Sequence, residues 1–397
     1  MIGRHGIRQN NAPVRPVVYG ICLYFLCSGA DSFQIGSIGS LLRLVAMVPL
    51  ALAVLDIGRW KIRICPTLVA QLLFWLLTVF SIFYSVDCDR TFSSVKALSL
   101  NLAMVFCLGI MEEYNERELQ LMQRYLLAGG WMTIILMMIF ADVSLQGRLT
   151  LLLGEKNQDQ NHINGYFIYA FSWHCYQLLF NKKKIHIIPA IVVLTIALLT
   201  GSRGALVAFL LVILVLVCIM FANSRHKVRN IALVILLMIL LLMIFDRILG
   251  MMPEDVARRY SWDYIAEKGT TGRTRIWKHL WNHYSGDSIF RMLFGHGYGT
   301  TSLVNTMDSR VAHNLYLDNL ITLGIPGLVL QLIIQGTVIS ILIKRRNLAL
   351  LGGYVGMIGM CLSLSLVTYK PIWNIMLLAL AIDTNARRQT HYIQEEI

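Results

Sequence analysis

The sequence predicts an all-α polytopic membrane protein, with about twelve transmembrane helices and one large extracytoplasmic loop. Three observations predict it. First, 56% of the 397 residues are hydrophobic and only 14% are charged, with a mean hydropathy of +0.62, whereas soluble domains carry about 25% charged residues. A surface so poor in charge cannot be wetted at this size, which excludes soluble enzymes, secreted disulfide scaffolds and disordered chains together. Second, apolar runs of roughly 17–25 residues, the length that crosses a ~30 Å hydrocarbon core, recur along the chain. Third, the basic clusters fall on alternate connections, as they do in short cytoplasmic loops.

The runs lie near 17–34, 38–56, 65–84, 94–111, 119–142, 163–180, 185–200, 204–222, 230–250, 313–343, 349–368 and 371–386. Arg4, Arg8 and Arg15 precede the first, and Arg59, Lys61 and Arg63 follow the second. Lys182, Lys183 and Lys184 follow the sixth, and Arg225, Lys227 and Arg229 the eighth. Lys344, Arg345 and Arg346 follow the tenth, and Arg387 and Arg388 the last. Twelve crossings put every cluster on one side, the cytoplasm, together with both termini. The acidic stretch Glu112, Glu113, Glu116 and Glu118 shares an inside loop, where acidic residues weigh little. The net charge of +13 is therefore topological. With no basic amphipathic helix or finger motif, the expected partner is the bilayer and not nucleic acid. Cys22, Cys27, Cys107, Cys175, Cys218 and Cys361 sit inside apolar runs as small hydrophobes. No Cys-x-x-Cys pair exists, so neither a metal nor a redox cofactor is expected. The first run reads as a span and not as a cleavable signal.

The chain thus divides into 1–250 with nine spans, 251–312 outside, and 313–397 with three spans and a cytoplasmic tail. Loops longer than about 15 residues are usually functional or disordered. Trp262, Tyr264, Trp277, Trp281, Tyr284, Phe290 and Phe294 favour a folded loop of short helices on the membrane surface. No internal repeat relates the two halves.

The outer side should be poor in arginine, yet Arg203, Arg258, Arg259, Arg273, Arg275, Arg291 and Arg310 all fall there. Arginine is suited to bidentate contact with phosphate and stays charged when partly desolvated. Several of these side chains could simply solvate the loop. Arg203 is different, because Thr200–Ala205 is a short turn between two apolar runs and a charge there is costly unless paired or functional. In Thr271–Trp281, Gly272, Arg273 and Arg275 open a short amphipathic helix whose first N–H groups could meet an anion, with Trp277 and Trp281 one turn apart as interfacial anchors. Leu293–Thr301 has three glycines in five positions and reads as a phosphate-cradling nest or a plain turn. In Ala312–Gly327, His313 and Asn314 sit where the loop re-enters the membrane, and Gly324 and Gly327 share a helix face suited to close packing. Before the sixth run, Asp159, Asn161, His162 and Asn164 lie outside. Asn161 or Asn164 reads as a helix N-cap, and Asp159 as a binder of a sugar hydroxyl.

These pieces in this order resemble the O-antigen ligase and O-antigen polymerase superfamily. The resemblance rests on Thr-Gly-Ser-Arg-Gly-Ala at 200–205, the loop with 272–277 and 294–300, and His313-Asn314 ahead of Gly324 and Gly327, within about 150–330. It implies a GT-C-like helical membrane glycosyltransferase of the bacterial inner membrane, with its active site on the outer face. The donor would be a glycan on undecaprenyl diphosphate, and the partners a glycan acceptor and a chain-length regulator. Arg203, Arg273 and Arg275 would hold the diphosphate, and His313 would serve the acceptor beside Asn314 and Asp159. Arg203 and His313 would be the catalytic pair. Neither metal nor nucleotide sugar would be needed, in keeping with the lack of an Asp-x-Asp pair in the loop. The expected activity is glycan polymerisation. The rival is a ligase that moves finished glycan onto lipid A core, and the rival from another class is a transporter or flippase. Transporters usually show repeat symmetry and polar residues at midplane, whereas here the halves are unlike.

Overall fold

The computed structural model of the chain describes residues 13–31, 33–35, 39–61, 64–143, 147–153, 156–157, 159–222, 247, 249–268, 272–307 and 310–395. The described elements are almost all helices: α1 (Pro16–Leu26), α2 (Leu41–Leu55), α3 (Pro66–Phe80), α4 (Cys88–Met104), α5 (Glu116–Ile139), α6 (Ile168–Leu179), α7 (Ile187–Leu199) and α8 (Arg203–Ala222). Five short helices follow: α9 (Glu254–Arg258), α10 (Trp262–Lys268), α11 (Arg273–Ser285), α12 (Ile289–Phe294) and α13 (Thr301–Val304). Then come α14 (Leu315–Lys344), α15 (Leu348–Cys361) and α16 (Lys370–Glu395). The all-helical expectation omitted small antiparallel ribbons. Gln34–Ile35 pairs with Gly39–Ser40, and Leu149–Leu153 pairs with Ala141–Val143 and Lys156–Asn157. Pairing of this kind satisfies backbone groups that leave a helix.

Five helices among the described residues are long and apolar enough to cross a membrane: Pro66–Tyr84, Cys88–Met111, Glu116–Ile139, Arg203–Ala222 and Leu315–Lys344. Pro16–Leu26, Leu41–Leu55, Lys184–Leu199 and Leu348–Cys361 are shorter apolar helices. The run expected at 230–250 lies outside the described residues apart from 247, 249 and 250. The run expected at 17–34 stops as a regular helix at Leu26, because Ser28 Oγ donates to Phe25 O and opens a 3-10 turn before Asp31.

Two packing events position the polar segment 251–312. Helix α11 buries Ile276, Leu280 and Tyr284, one face at i, i+4 and i+8, against Leu320 and Ile321 of α14. Val256 and Tyr260 pack on Leu198 at the end of α7, and Tyr260 Oη donates to Leu198 O at 3.0 Å. The arginines of the segment are therefore drawn toward the α7–α8 turn and the start of α14.

The start of α14 is not a straight packing face. Gly324 has φ +67° and ψ −163°, a break inside the helix, and a Cβ there would strike Leu293 O. The physical reason lies two residues on. Pro326 has no N–H to give to Thr322 O, so the carbonyls at the break need other donors. His296 N–H donates to Ile321 O and Gly297 N–H to Thr322 O, each at 3.0 Å. Tyr298 N–H donates to Ser81 Oγ at 3.1 Å. Of the two readings of 293–301, a phosphate nest or a plain turn, these contacts favour the turn, since the three donors are spent on protein acceptors. Positive φ at Gly295, Gly297 and Gly299 lets the loop wedge between the break and the 3-10 turn Ser81–Tyr84.

Candidate functional site

The site grows from the turn that joins α7 to α8. Gly201 has φ +63°, a conformation that costs a side chain roughly 1–3 kcal/mol. Space adds a second reason for glycine, since a Cβ there would lie 3.1 Å from Arg259 Cδ and 3.2 Å from Arg148 Cγ. Two arginines from distant parts of the chain therefore cross at this residue. Arg148 Nε donates to Thr200 O at 2.7 Å, and its Nη2 donates to Asn161 Oδ1 at 3.1 Å. Arg259 Nε donates to Gly201 O at 3.0 Å. The next residues bring two more. Arg203 opens α8 with its guanidinium carbon 5.9 Å from the Tyr264 ring centre, and Arg273 Nη1 approaches within 3.9 Å of the place a Cβ on Gly204 would take.

The charges tell how tightly these groups are gathered. Burial pushes Arg148 down to about 10, and the positive charges of Arg259 and Arg273 add to it, against an opposing pull from Asp159. Arg273 is lowered by burial and by Arg203 and Arg259, again with Asp159 opposing. A guanidinium ordinarily titrates above 12, so both shifts report cations that repel one another in a partly dry place. Asp159 is the carboxylate in reach of Arg148, Arg273 and His313. Burial works against its ionisation. The hydrogen bond and charge of His162, with N–H groups of Asn161 and His162, outweigh that and hold its carboxyl well below the usual range.

His313 sits at the edge of the same field. Its φ is +50°, a strained conformation for a non-glycine residue. Trp277 Nε1 donates to Ala312 O at 2.8 Å and pins the segment just before it, so Trp277 is a brace from α11 and not only an interfacial anchor. Burial lowers the His313 imidazole below its ordinary value of 6.5, and the neighbouring Arg273 lowers it further. The ring is neutral near pH 7.

The structure brings together Arg203, Arg273, Asp159 and His313 among the residues singled out in sequence. Arg275 is exposed on α11, and two residues of helix turn it about 200° from Arg273. Asn314 is engaged as the N-cap of α14. Its Oδ1 accepts Tyr316 and Leu317 N–H at 3.0 and 3.1 Å, and its Nδ2 donates to Leu362 O at 3.3 Å. Asn161 and Asn164 are not N-caps. Asn161 holds Arg148, and Asn164 Nδ2 donates to Thr200 Oγ1 at 3.0 Å, so both brace the turn under Arg203. Arg291 donates to Tyr84 O and Gly295 O at 2.9 and 3.2 Å, away from the cluster. Sequence reasoning missed Arg148 and passed over Arg259. The signal for Arg148 was present, because it is another arginine in an expected outer connection.

The arrangement gathers several guanidiniums beside an imidazole, which suits an anionic ligand. A comparison with the curated proteins finds no match. Residues 188–332, which span α7, α8, the short helices and the first half of α14, match the family model of the O-antigen ligase. That match supports a function of the O-antigen ligase and polymerase type. The stretch 188–332 is thus similar to the O-antigen ligase family, which supports the resemblance of the chain to the O-antigen ligase and polymerase superfamily.

Proposed function

We propose that the chain is a membrane glycosyltransferase that polymerises surface polysaccharide. It takes glycan from an undecaprenyl-diphosphate donor and passes it to an acceptor sugar hydroxyl. The observation that carries this reading is the crowd of mutually repelling guanidiniums, Arg148, Arg203, Arg259 and Arg273, around one turn with neutral His313 at its rim. Diphosphate is the ligand whose charge relieves that repulsion, and guanidinium forks fit its oxygens two at a time.

The chemistry follows from the residues. As the anomeric carbon–oxygen bond breaks, negative charge grows on the departing diphosphate, and the arginines stabilise it where water is partly excluded. A neutral imidazole takes the proton of the attacking hydroxyl through its free ring nitrogen. Asp159, half-exposed beside His162, offers an acceptor for sugar hydroxyls. Arginine supplies the charge that a divalent cation supplies elsewhere, so this transfer runs without a metal at the diphosphate. The donor approaches from the outer leaflet, with both termini on the cytoplasmic side. A second reading, ligation of finished glycan to an acceptor such as lipid A core, is favoured by the description of the matching family.

The test is transfer by purified protein from a lipid-linked repeat unit, with donor binding followed in parallel. A ladder of products still on the lipid carrier, formed with no other acceptor, supports polymerisation. Product formed only when a core acceptor is added establishes ligation instead. Neither product, from protein that binds neither donor nor inorganic pyrophosphate, overturns both.

A further inference from the structure

Three side chains outside the arginine cluster converge where α11 ends. His283 lies on the last turn of α11, Asp287 in the connection after it, and His296 in the glycine loop that follows α12. Their ligand atoms all lie within 4.8 Å of one another. His296 Nε2 is 2.9 Å from Asp287 Oδ2, and His283 Nδ1 is 3.3 Å from the same oxygen. The imidazole rings are 5.2 Å apart at 70° to each other.

Hydrogen bonding accounts for only part of this cluster. The His296–Asp287 contact is a hydrogen bond. The His283 contact is not one, and His283 Nδ1 is a buried nitrogen with no hydrogen-bond partner. Leaving a buried polar atom unsatisfied costs about 1–3 kcal/mol. A metal ion would remove that cost. Tetrahedral zinc with ligands at about 2.0–2.1 Å sets neighbouring ligand atoms about 3.3 Å apart, close to the 2.9 and 3.3 Å from Asp287 to the two imidazoles, while the imidazole nitrogens lie within 4.8 Å of each other.

The frame is also rigid. His296 is 7% exposed, its own N–H is held by Ile321 O, and the next N–H by Thr322 O. Tyr284 Oη donates to Met292 O at 3.1 Å, which ties α11 to α12 across the cluster. Burial keeps the His296 imidazole below its ordinary value, opposed by Asp287 and helped by the Arg291 cation. Arg291 is the cost, since it repels a second cation, but its guanidinium is turned to the carbonyls of Tyr84 and Gly295.

We propose that His283 Nδ1, Asp287 and His296 Nε2 form a binding site for one divalent ion of the zinc class, with water completing its shell. Imidazole and carboxylate together suit this ion. On binding, the Nε2 proton of neutral His296 shifts through solvent to its Nδ1, so that the Nε2 lone pair and the ionised Asp287 carboxylate both face the ion. The site goes beyond glycan transfer. It lies about 15 Å along α11 from Arg273, the rise of ten helical residues, so the ion braces the helix that carries a donor ligand and does not touch the donor. It joins the end of α11 to the loop that closes the break in α14.

The experiment uses the full chain, purified in detergent with a histidine-free tag and stripped with a chelator. Zinc binding is measured by competition with a chromophoric chelator, and the ligand set is read from the absorption of cobalt in its place. The expected result is one zinc ion per chain, with zinc raising the melting temperature of the metal-free protein. His283→Ala and Asp287→Asn should each weaken binding at least about tenfold to a hundredfold and abolish the melting shift. His283 is a third exposed, so its alanine variant should fold even if His296→Ala does not. Zinc affinity and melting shift unchanged in His283→Ala and Asp287→Asn would overturn the proposal. So would a stoichiometry well below one in the wild-type protein.

Discussion

Arg15 and Arg273 are both guanidiniums withdrawn from most of the solvent, and their surroundings have opposite signs. Arg15 faces Glu112 at 2.9 Å, Glu118 at 3.0 Å and Asp56 at 3.4 Å, and its Nη2 also donates to Glu113 O. Burial alone would lower it, but these carboxylates push it up. Arg273 shares its place with Arg203 and Arg259 and is pushed down, with Asp159 as the opposing charge. Helix α5 begins beside the first group, at Glu118, and its 24 residues span about 36 Å toward the ribbon that carries Arg148. The two groups thus sit at opposite ends of the same helix. What differs is whether the protein supplies the counter-charge. At Arg15 the network is closed and holds together the start of α1, the end of α2, the connection at Glu112 and the start of α5. Around Arg203 the fold gathers like charges, which costs stability and supports the proposed anion site.

Sidedness gives the sharpest all-or-none test of that comparison. In a background with the exposed Cys88 and Cys218 replaced by serine, Ser285→Cys at the end of α11 should label from outside intact cells. Gly58→Cys, beside the Arg15 network and with nothing within 4 Å of its side-chain position, should label only after the membrane is opened. The reverse pattern would invert the topology.

Opposite failures are expected from the two arginine groups. Arg203→Lys should reduce transfer by about 10²–10³-fold, because a point charge cannot reproduce the fork, while protein level and melting stay near wild type. Arg15→Ala should leave Glu112 and Glu118 buried without their partner, at a cost of about 3–5 kcal/mol. Folded protein should fall steeply, yet turnover per folded molecule should persist. Full transfer by Arg203→Lys at equal protein level would reduce Arg203 to a topological charge.

A loss of about 10²-fold in turnover, the lower end of a general-base effect, is expected for His313→Ala if it acts as general base, with donor affinity retained. The pH dependence carries a sign. Because burial and Arg273 hold the folded-state value below 6.5, the acid limb of kcat/KM should lie below pH 6.5 and move upward in Arg273→Gln. The same depression means that the stability lent by neutral His313 is present above pH 6.5 and is lost as pH falls through the folded value. An acid limb that ignores Arg273→Gln would separate His313 from the cluster.

The smallest effect is expected from Gly201→Ala. Its strained φ and contacts at 3.1–3.2 Å with Arg259 and Arg148 should cost about 1–3 kcal/mol of local stability. Spreading the arginines should weaken donor binding more than it slows the chemical step. Donor affinity equal to wild type would show that the crossing of Arg148 and Arg259 does not set the donor site.

Much of the site was legible and part was not, for identifiable reasons. Arg203 stood out because one charge in a short turn between apolar runs is a local anomaly, visible in a window of a dozen residues. His313 stood out as a polar residue at the mouth of a helix. Arg275 and Asn314 stand apart from the cluster for different reasons. Helical phase separates Arg275 from Arg273, and Asn314 is consumed by capping. The glycines of 295–299 looked like an anion cradle because positive φ serves a cradle and a wedge equally well. Only the broken helix at Gly324 and Pro326, with carbonyls short of donors, shows which one it is.

The sequence by itself determined the membrane class, the apolar runs and the unusual placement of arginine. These follow from hydropathy and charge, which add up locally along the chain. Tertiary structure alone decided that Arg148 and Arg259 cross at Gly201, that residues 296–298 close the break in α14, and that His283, Asp287 and His296 share one corner. Each of these joins segments that meet only after helices pack. Their partners are chosen by the shape of buried faces, such as Ile276 and Leu280 on α14; helical spacing marks such a face in the chain but does not say which element covers it.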